Sequence, residues 1–157
     1  MKRFLLFSSL VLFLGQCVLA RGNDIPDWPD SCVVDSWEYS LLIQVRGNNV
    51  TGLCLMNLYP DSSIIGTVVN DFGVKVLDFT YANGKARVMN VFGPINKWYI
   101  RRVLRGDFAF ILANLRRGED VVEKKRRLTI MPNGDIQVAN ERYHINYVFS
   151  QIEPGGS

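Results

Sequence analysis

The sequence predicts an α+β fold, mostly antiparallel β, with a curved meander wrapped around a central helical segment. Three observations predict it. Apolar residues recur at every second position over residues 37–92 and again over 128–152. Turn signals such as Asn83-Gly84 divide these stretches into short strands. Between them, residues 95–115 switch to the 3.6-residue period of a helix. A sheet with one apolar face needs a cover, and this segment is the candidate. If such a curved sheet is not completely filled, its inside is an apolar pocket.

The chain begins with a different kind of segment. Residues 1–20 read MKRFLLFSSLVLFLGQCVLA: a basic start at Lys2 and Arg3, an apolar stretch from Phe4 to Leu14, and a small residue at Ala20. This is the pattern of a secretory signal peptide, and the apolar stretch is shorter than a bilayer span of roughly 20 residues. Two processing routes are open. Leu14-Gly15-Gln16-Cys17 places a cysteine where a bacterial lipoprotein is cut and acylated, although Gln16 is larger than the usual residue there. Cleavage after Ala20 instead releases a soluble domain. Either way the expected location is outside the cytoplasm, in the periplasm or at the outer membrane.

Residues 21–36 form an irregular arm, since Pro26, Pro29 and four aspartates and asparagines (Asn23, Asp24, Asp27, Asp30) break regular structure. A single β-rich domain follows over 37–152, and 153–157 is a disordered tail. Cys32 and Cys54 lie in the exported part. They can close a loop of about 22 residues, a disulfide contributing about 3 kcal/mol in the chain-entropy model. The alternative is a pair of free thiols.

Within the domain, Tyr39, Leu41, Ile43 and Val45 alternate with polar residues as a first strand, and Gly47-Asn48-Asn49 turns the chain. Thr51–Leu58, Ile64–Asn70, Val74–Tyr81 and Ala86–Phe92 read as four more. Pro94 is suited to a helix start. Residues 95–105 carry Ile95, Tyr99, Val103 and also Ile100 and Leu104 on one side, with Arg101, Arg102 and Arg105 beside or opposite them. Gly106 then interrupts, and Asp107 reads as the N-cap of a second helical piece over 108–115. After the charged stretch 119–127 come three strands: Leu128–Met131, Ile136–Ala139 and Tyr143–Ile152.

Composition excludes several functions. Lys plus Arg total 18 and Asp plus Glu 15, but without the signal peptide 16 basic and 15 acidic residues remain, a net of +1. A nucleic-acid partner is excluded, because such proteins keep a strong basic excess. The chain has one histidine, His144, on a strand among aromatic neighbours, and no nucleophile motif, phosphate-binding loop or metal-spaced cluster. Asp61 or Asp71 with Asp78 cannot be placed at catalytic spacing, and turn chemistry explains most of these carboxylates. No enzyme activity and no cofactor are expected. Lys124-Lys125-Arg126-Arg127 is either a contact for anionic lipid head groups or a strand edge guarded by charge. Trp98 and Tyr99 sit beside arginines, either at a membrane-facing edge or in the core. Asn49-Val50-Thr51 matches a glycosylation sequon, relevant only in a eukaryotic secretory pathway.

Three stretches carry a family resemblance: Gly52-Leu53-Cys54-Leu55, Val69-Asn70-Asp71-Phe72-Gly73-Val74-Lys75-Val76-Leu77-Asp78-Phe79, and Asn96-Lys97-Trp98-Tyr99-Ile100. Over about residues 38–112 the chain resembles small bacterial envelope lipoproteins of the LolA/LolB-like lipoprotein-sorting group. The resemblance implies a half-open antiparallel barrel closed by helices, with an apolar cavity for acyl chains of lipoproteins or lipids. Strand alternation then nominates Leu41, Ile43, Leu53, Leu55, Leu77, Phe79 and Trp98 as the lipid-binding lining. A structural or interaction module with a filled core is the alternative.

Overall fold

The computed structural model describes residues 32–45 and 48–152. The expected signal peptide with Cys17, the arm as far as residue 31 and the tail 153–157 lie outside the described residues. Along the chain run β1 (Asp35–Val45), β2 (Asn48–Leu58), β3 (Ile64–Asn70), β4 (Lys75–Ala82), β5 (Lys85–Met89), α1 (Trp98–Asn114), β6 (Val121–Glu123), β7 (Arg126–Ile130), β8 (Ile136–Asn140) and β9 (Ile145–Gln151). The fold is thus α+β, a mostly antiparallel nine-stranded meander sheet with one helix.

The strand order is β5-β4-β3-β2-β1-β9-β8-β7-β6. Two meanders, one before the helix and one after it, meet where β1 pairs with β9. There Leu41 lies opposite Phe149 and Ile43 opposite Tyr147. β5 and β6 remain as the outer strands, so the sheet is neither closed nor strongly curled.

Cross-strand partners share a face, so the register identifies the inner one. It carries Tyr39, Leu41 and Ile43 of β1, Cys54 and Met56 of β2, Val68 of β3, and Leu77 and Phe79 of β4. The second meander adds Leu128, Val138, Tyr147 and Phe149. α1 covers this face with Leu104, Phe108, Ile111 and Leu112, spaced for one side of a helix. The Phe108 ring stands 4.8 Å from that of Phe79 and 6.3 Å from that of Tyr147, bridging the two meanders. Each such buried side chain contributes about 1.5–3 kcal/mol. At the C-terminal end of α1, the Arg116 guanidinium lies 5.0 Å from the centroid of the Trp37 ring.

Glycine makes two of these approaches possible. A Cβ on Gly66 would collide with the Phe79 ring and come within 2.6 Å of the Leu55 carbonyl oxygen. A Cβ on Gly52 would strike the backbone of Val69, where the register between β3 and β4 shifts at Val68/Val69.

The structure corrects several sequence expectations. α1 is one helix, not two. Gly106 lies inside it, and Asp107 is an interior residue with a buried side chain rather than an N-cap. Pro94 sits in a separate 3₁₀ turn, Gly93–Ile95, and the α-helix begins at Trp98. β1 starts at Asp35, inside the expected arm, where Val34 N–H already donates to the Leu58 carbonyl. Asn48 and Asn49 belong to β2 rather than a turn, paired with Val45 and Gln44. The charged stretch contains β6 and the start of β7. Tyr143 and His144 lie in the turn before β9, with His144 at φ 53°.

Cys32 and Cys54 stand as free thiols. Cys54 lies opposite Tyr39 in the middle of β2, four residues along the strand from Leu58, a rise of about 13 Å. Cys32 precedes Val34, which bonds to Leu58. Burial pushes the Cys54 thiol up to about 12, so it stays protonated and unreactive at neutral pH.

Two outcomes follow. Gly66→Ala should destabilise the domain by about 1–3 kcal/mol, read from urea midpoints, because neither the ring nor the carbonyl has room to yield. In a Cys17→Ser variant, a thiol reagent at pH 8 should label Cys32 within minutes and Cys54 only after denaturant is added. Rapid labelling of both in native protein would contradict the packing described for β2.

Candidate anion-binding cleft

The structure separates the expected lining residues into three groups. Leu41, Ile43, Leu77 and Phe79 come together on the inner face, at 4% exposure or less, packed beneath α1 as core. Leu53 and Leu55 point to the opposite face, and Leu53 is 42% exposed. Gly52-Leu53-Cys54-Leu55-Met56 has no polar residue to mark the phase, and the inward positions fall to Gly52, Cys54 and Met56. Trp98 leaves the core altogether and is 74% exposed in the first turn of α1. The inner face is therefore occupied by the helix.

The concavity that the described residues do form lies elsewhere. A cleft of about 610 Å³ opens between the start of α1 and the hairpin tips of the second meander. α1 contributes Trp98, Tyr99, Arg102 and Val103. The β6–β7 tip contributes Lys124, Lys125 and Arg126, and the end of β8 with its following turn contributes Asn140, Arg142 and Tyr143. Five of these side chains are cationic, three are aromatic and none is a carboxylate. The first turn of α1 also lacks an acidic residue, so the positive end of its dipole adds to the field.

A buried carboxylate holds the cleft in shape. Asp107 is fully buried, and three side chains donate to it. Arg126 Nε donates to Oδ1 at 2.7 Å, Asn140 Nδ2 donates to Oδ1 at 2.6 Å, and the Tyr147 hydroxyl donates to Oδ2 at 2.8 Å. Asn140 extends the chain of bonds. Its Oδ1 accepts from the backbone N–H groups of Arg142 and Tyr143, at 3.2 and 3.3 Å, and so shapes the turn that carries two cleft residues. The Glu141 N–H donates to the Lys125 carbonyl, tying that turn to the neighbouring hairpin tip.

Local backbone choices at the cleft run against propensity. Gly106 lies inside a helix, where glycine costs about 0.5–1 kcal/mol relative to alanine. A Cβ there would come within 2.6 Å of Arg126 Nη2, so a larger residue would shift the end of that side chain. Lys124 takes φ 56°, a left-handed conformation that glycine or asparagine adopts more readily. Of the cations, Arg126 is bonded to Asp107, and Lys124 has Glu123 at 3.7 Å. The Arg142 guanidinium lies 5.4 Å from the centroid of the Tyr143 ring.

The remaining candidates have structural roles. Asp61 accepts from Ser63 N–H, Asp71 accepts from the Thr51 hydroxyl, and Asp78 is bonded to Asn90 and paired with Lys75. Arg127, next to Arg126, pairs with Glu141 at 3.4 Å on the other face of the sheet. Among the described residues, no group of His, Cys, Asp and Glu could hold a metal ion, and no helix is long and apolar enough to cross a membrane. No protein-family model matches the chain, and no curated protein matches its sequence.

Sequence reasoning missed Asn140, Arg142, Tyr143 and Tyr147 as members of a site, and it misread Asp107. One signal was present. Leu104, Asp107, Phe108 and Ile111 fall at the spacing of a single helix face, so an aspartate there faces the core and requires donors.

Replacing Asp107 by alanine should cost about 3–5 kcal/mol, since it strands the Arg126 charge and two further donors. Tyr147→Phe should cost about 1.5–3 kcal/mol, one hydrogen bond to a charged acceptor. The same variant has a pH signature. Burial, and then the Asp107 charge, raise the Tyr147 hydroxyl well above 10.0. The unfolded phenol ionises near its ordinary value while the folded one stays protonated, so its contribution is complete below about pH 10 and declines above it. Thermal unfolding of Tyr147→Phe should therefore lose less stability than the parent between pH 9 and 11.

Proposed function

We propose that the chain is a non-enzymatic module that binds negatively charged lipid through this cleft. The observation that carries the proposal is the lining: five cationic side chains and three aromatic rings, with no carboxylate among them. Aromatic side chains with an apolar body and a polar edge suit the boundary between lipid and water. Each Lys or Arg near an anionic surface contributes about 1 kcal/mol. Arg102, Lys124, Lys125 and Arg142 together supply about 4 kcal/mol, enough for weak attachment that salt reverses. Phe92, 64% exposed just before the 3₁₀ turn that leads into α1, adds apolar surface.

The resemblance to the LolA/LolB-like group supports lipid as the ligand class, as does the expected export to the cell envelope. In the form that resemblance implies, acyl chains occupy the inside of a half-open barrel lined by Leu41, Ile43, Leu77 and Phe79. Here those residues are packed against α1, so acyl binding there requires the helix to leave the sheet. The cleft requires no such movement. The filled interior favours a second reading, an envelope interaction module without a lipid ligand.

Vesicle co-sedimentation distinguishes these readings. The protein should bind vesicles of phosphatidylcholine mixed with phosphatidylglycerol, and should fail to bind phosphatidylcholine alone. Lys124→Glu with Lys125→Glu should reduce binding at least about tenfold, reversing two of the four charges. Trp98→Ser should weaken it less, and added salt should weaken it strongly. Equal binding to neutral and anionic vesicles, or no effect of charge reversal, would remove the cleft from consideration.

A further inference from the structure

The cleft is more organised than attachment to a charged surface requires. General attraction to an anionic bilayer works with flexible lysines at any exposed position. Lys124 and Lys125 fit that description, but Arg126 does not. Its side chain is only 25% exposed, and its Nε is fixed on a fully buried carboxylate. The glycine at 106 leaves space for the Nη2 end of the guanidinium against the helix. With Nε engaged by Asp107, Arg126 still lines the cleft. Arg102 from the helix and Arg142 from the β8–β9 turn line the same cleft. The turn carrying Arg142 is held by Asn140, which is itself bonded to Asp107. One carboxylate therefore sets both Arg126 and the loop bearing Arg142.

Arginine rather than lysine at such positions selects for a planar array of oxygens, because the guanidinium donates two parallel hydrogen bonds. We infer that the cleft is a recognition site for a phosphate monoester, with Arg126 as the fixed donor and Arg102 and Arg142 completing the seat. A monoester carries close to two negative charges near neutral pH and three acceptor oxygens. A phosphodiester in a phosphatidylglycerol head group carries one charge and two free oxygens. The monoester thus matches both the excess positive charge and the number of arginine forks. Trp98 and Tyr143 line the same cleft and suit the glycerol or sugar that bears the phosphate. This inference rests on the lipid-binding reading above and narrows its ligand.

The test compares phosphatidic acid, whose head group is a monoester, with phosphatidylglycerol at equal mole fraction in phosphatidylcholine vesicles. The parent protein should bind the phosphatidic acid vesicles at least about tenfold more tightly. Arg126→Lys keeps the charge and removes the fork. It should abolish that preference, so that the variant binds the two lipids about equally. Should Arg126→Lys fail to fold, as judged by its thermal transition, the exposed pair Arg102→Lys with Arg142→Lys carries the same expectation. Glycerol 3-phosphate resolves the source of the phosphate. Competition by it for the cleft assigns recognition to the monoester itself. Preference for phosphatidic acid without such competition assigns it to the monoester presented on a bilayer.

Two results would overturn the inference. One is equal binding of the two lipids by the parent. The other is a phosphatidic acid preference that survives the arginine replacements in folded protein. Either result leaves attachment to anionic vesicles standing, because that depends on the summed positive charge of the cleft, which arginine-to-lysine replacements keep. Loss of all vesicle binding by the parent would instead remove the broader reading.

Discussion

The carboxylate of Asp107 is the constraint on which the cleft depends. It is a fully buried charge at the contact between the helix and the second meander. Such a charge is tolerated only when its oxygens are satisfied, and here three donors from three strands converge on it. The requirement works in both directions. The donors stabilise the ion, and the ion fixes the position of each donor. Arg126 is held at the sheet margin, Asn140 is turned to accept from its own hairpin, and Tyr147 is kept hydrogen-bonded in the core. A hydrophobic residue at position 107 could fill the same volume, but it would leave the hairpin tips unattached to the helix. Buried ionic groups add little net stability on average. What this one adds is a defined spatial relation between α1 and the two tips.

The division of labour across the sheet follows from that arrangement. Both meanders and the middle of α1 form the apolar core, in which Phe79, Phe108 and Tyr147 connect the two halves. The polar network lies at one end of that core, where the inner face passes from Val138 and Leu128 to Asn140 and Arg126 along neighbouring strands. Beyond it lies the cleft between the start of α1 and the hairpin tips, lined by the aromatic and basic side chains. The cleft is thus the continuation of the core past its last satisfied polar group.

Much of the architecture was legible in the sequence. The period-2 strands, the Asn83-Gly84 turn and the helical period after Pro94 each report a local preference that the tertiary structure respects. What was not legible depended on the choice between two faces. In β2 every residue from Gly52 to Met56 is compatible with burial, so alternation could not show that Cys54 and Met56 point inward and Leu53 and Leu55 outward. Gly106-Asp107 reads locally as a break followed by a cap, because both residues are poor helix formers. Tertiary bonding overrides that preference, and the donors responsible come from residues 19 to 40 positions away. The charged stretch at 119–127 concealed a hairpin for a similar reason: side chains that favour solvent gave no period to read.

The seam between β1 and β9 has a further consequence, one concerned with time rather than geometry. The middle of the sheet is made from the two ends of the domain, with Leu41 and Ile43 waiting for Phe149 and Tyr147. A chain delivered from its N-terminus can pair β1 through β5 as soon as they appear, since each hairpin is local. It cannot complete its central strand pair, seat Phe108 between the halves or satisfy Asp107 until the last strand arrives. Contacts so distant along the chain form slowly, because loop closure precedes any gain from pairing. The fold therefore carries a built-in delay: a partly delivered chain keeps the inner edge of β1 open, and the domain closes only when delivery is complete.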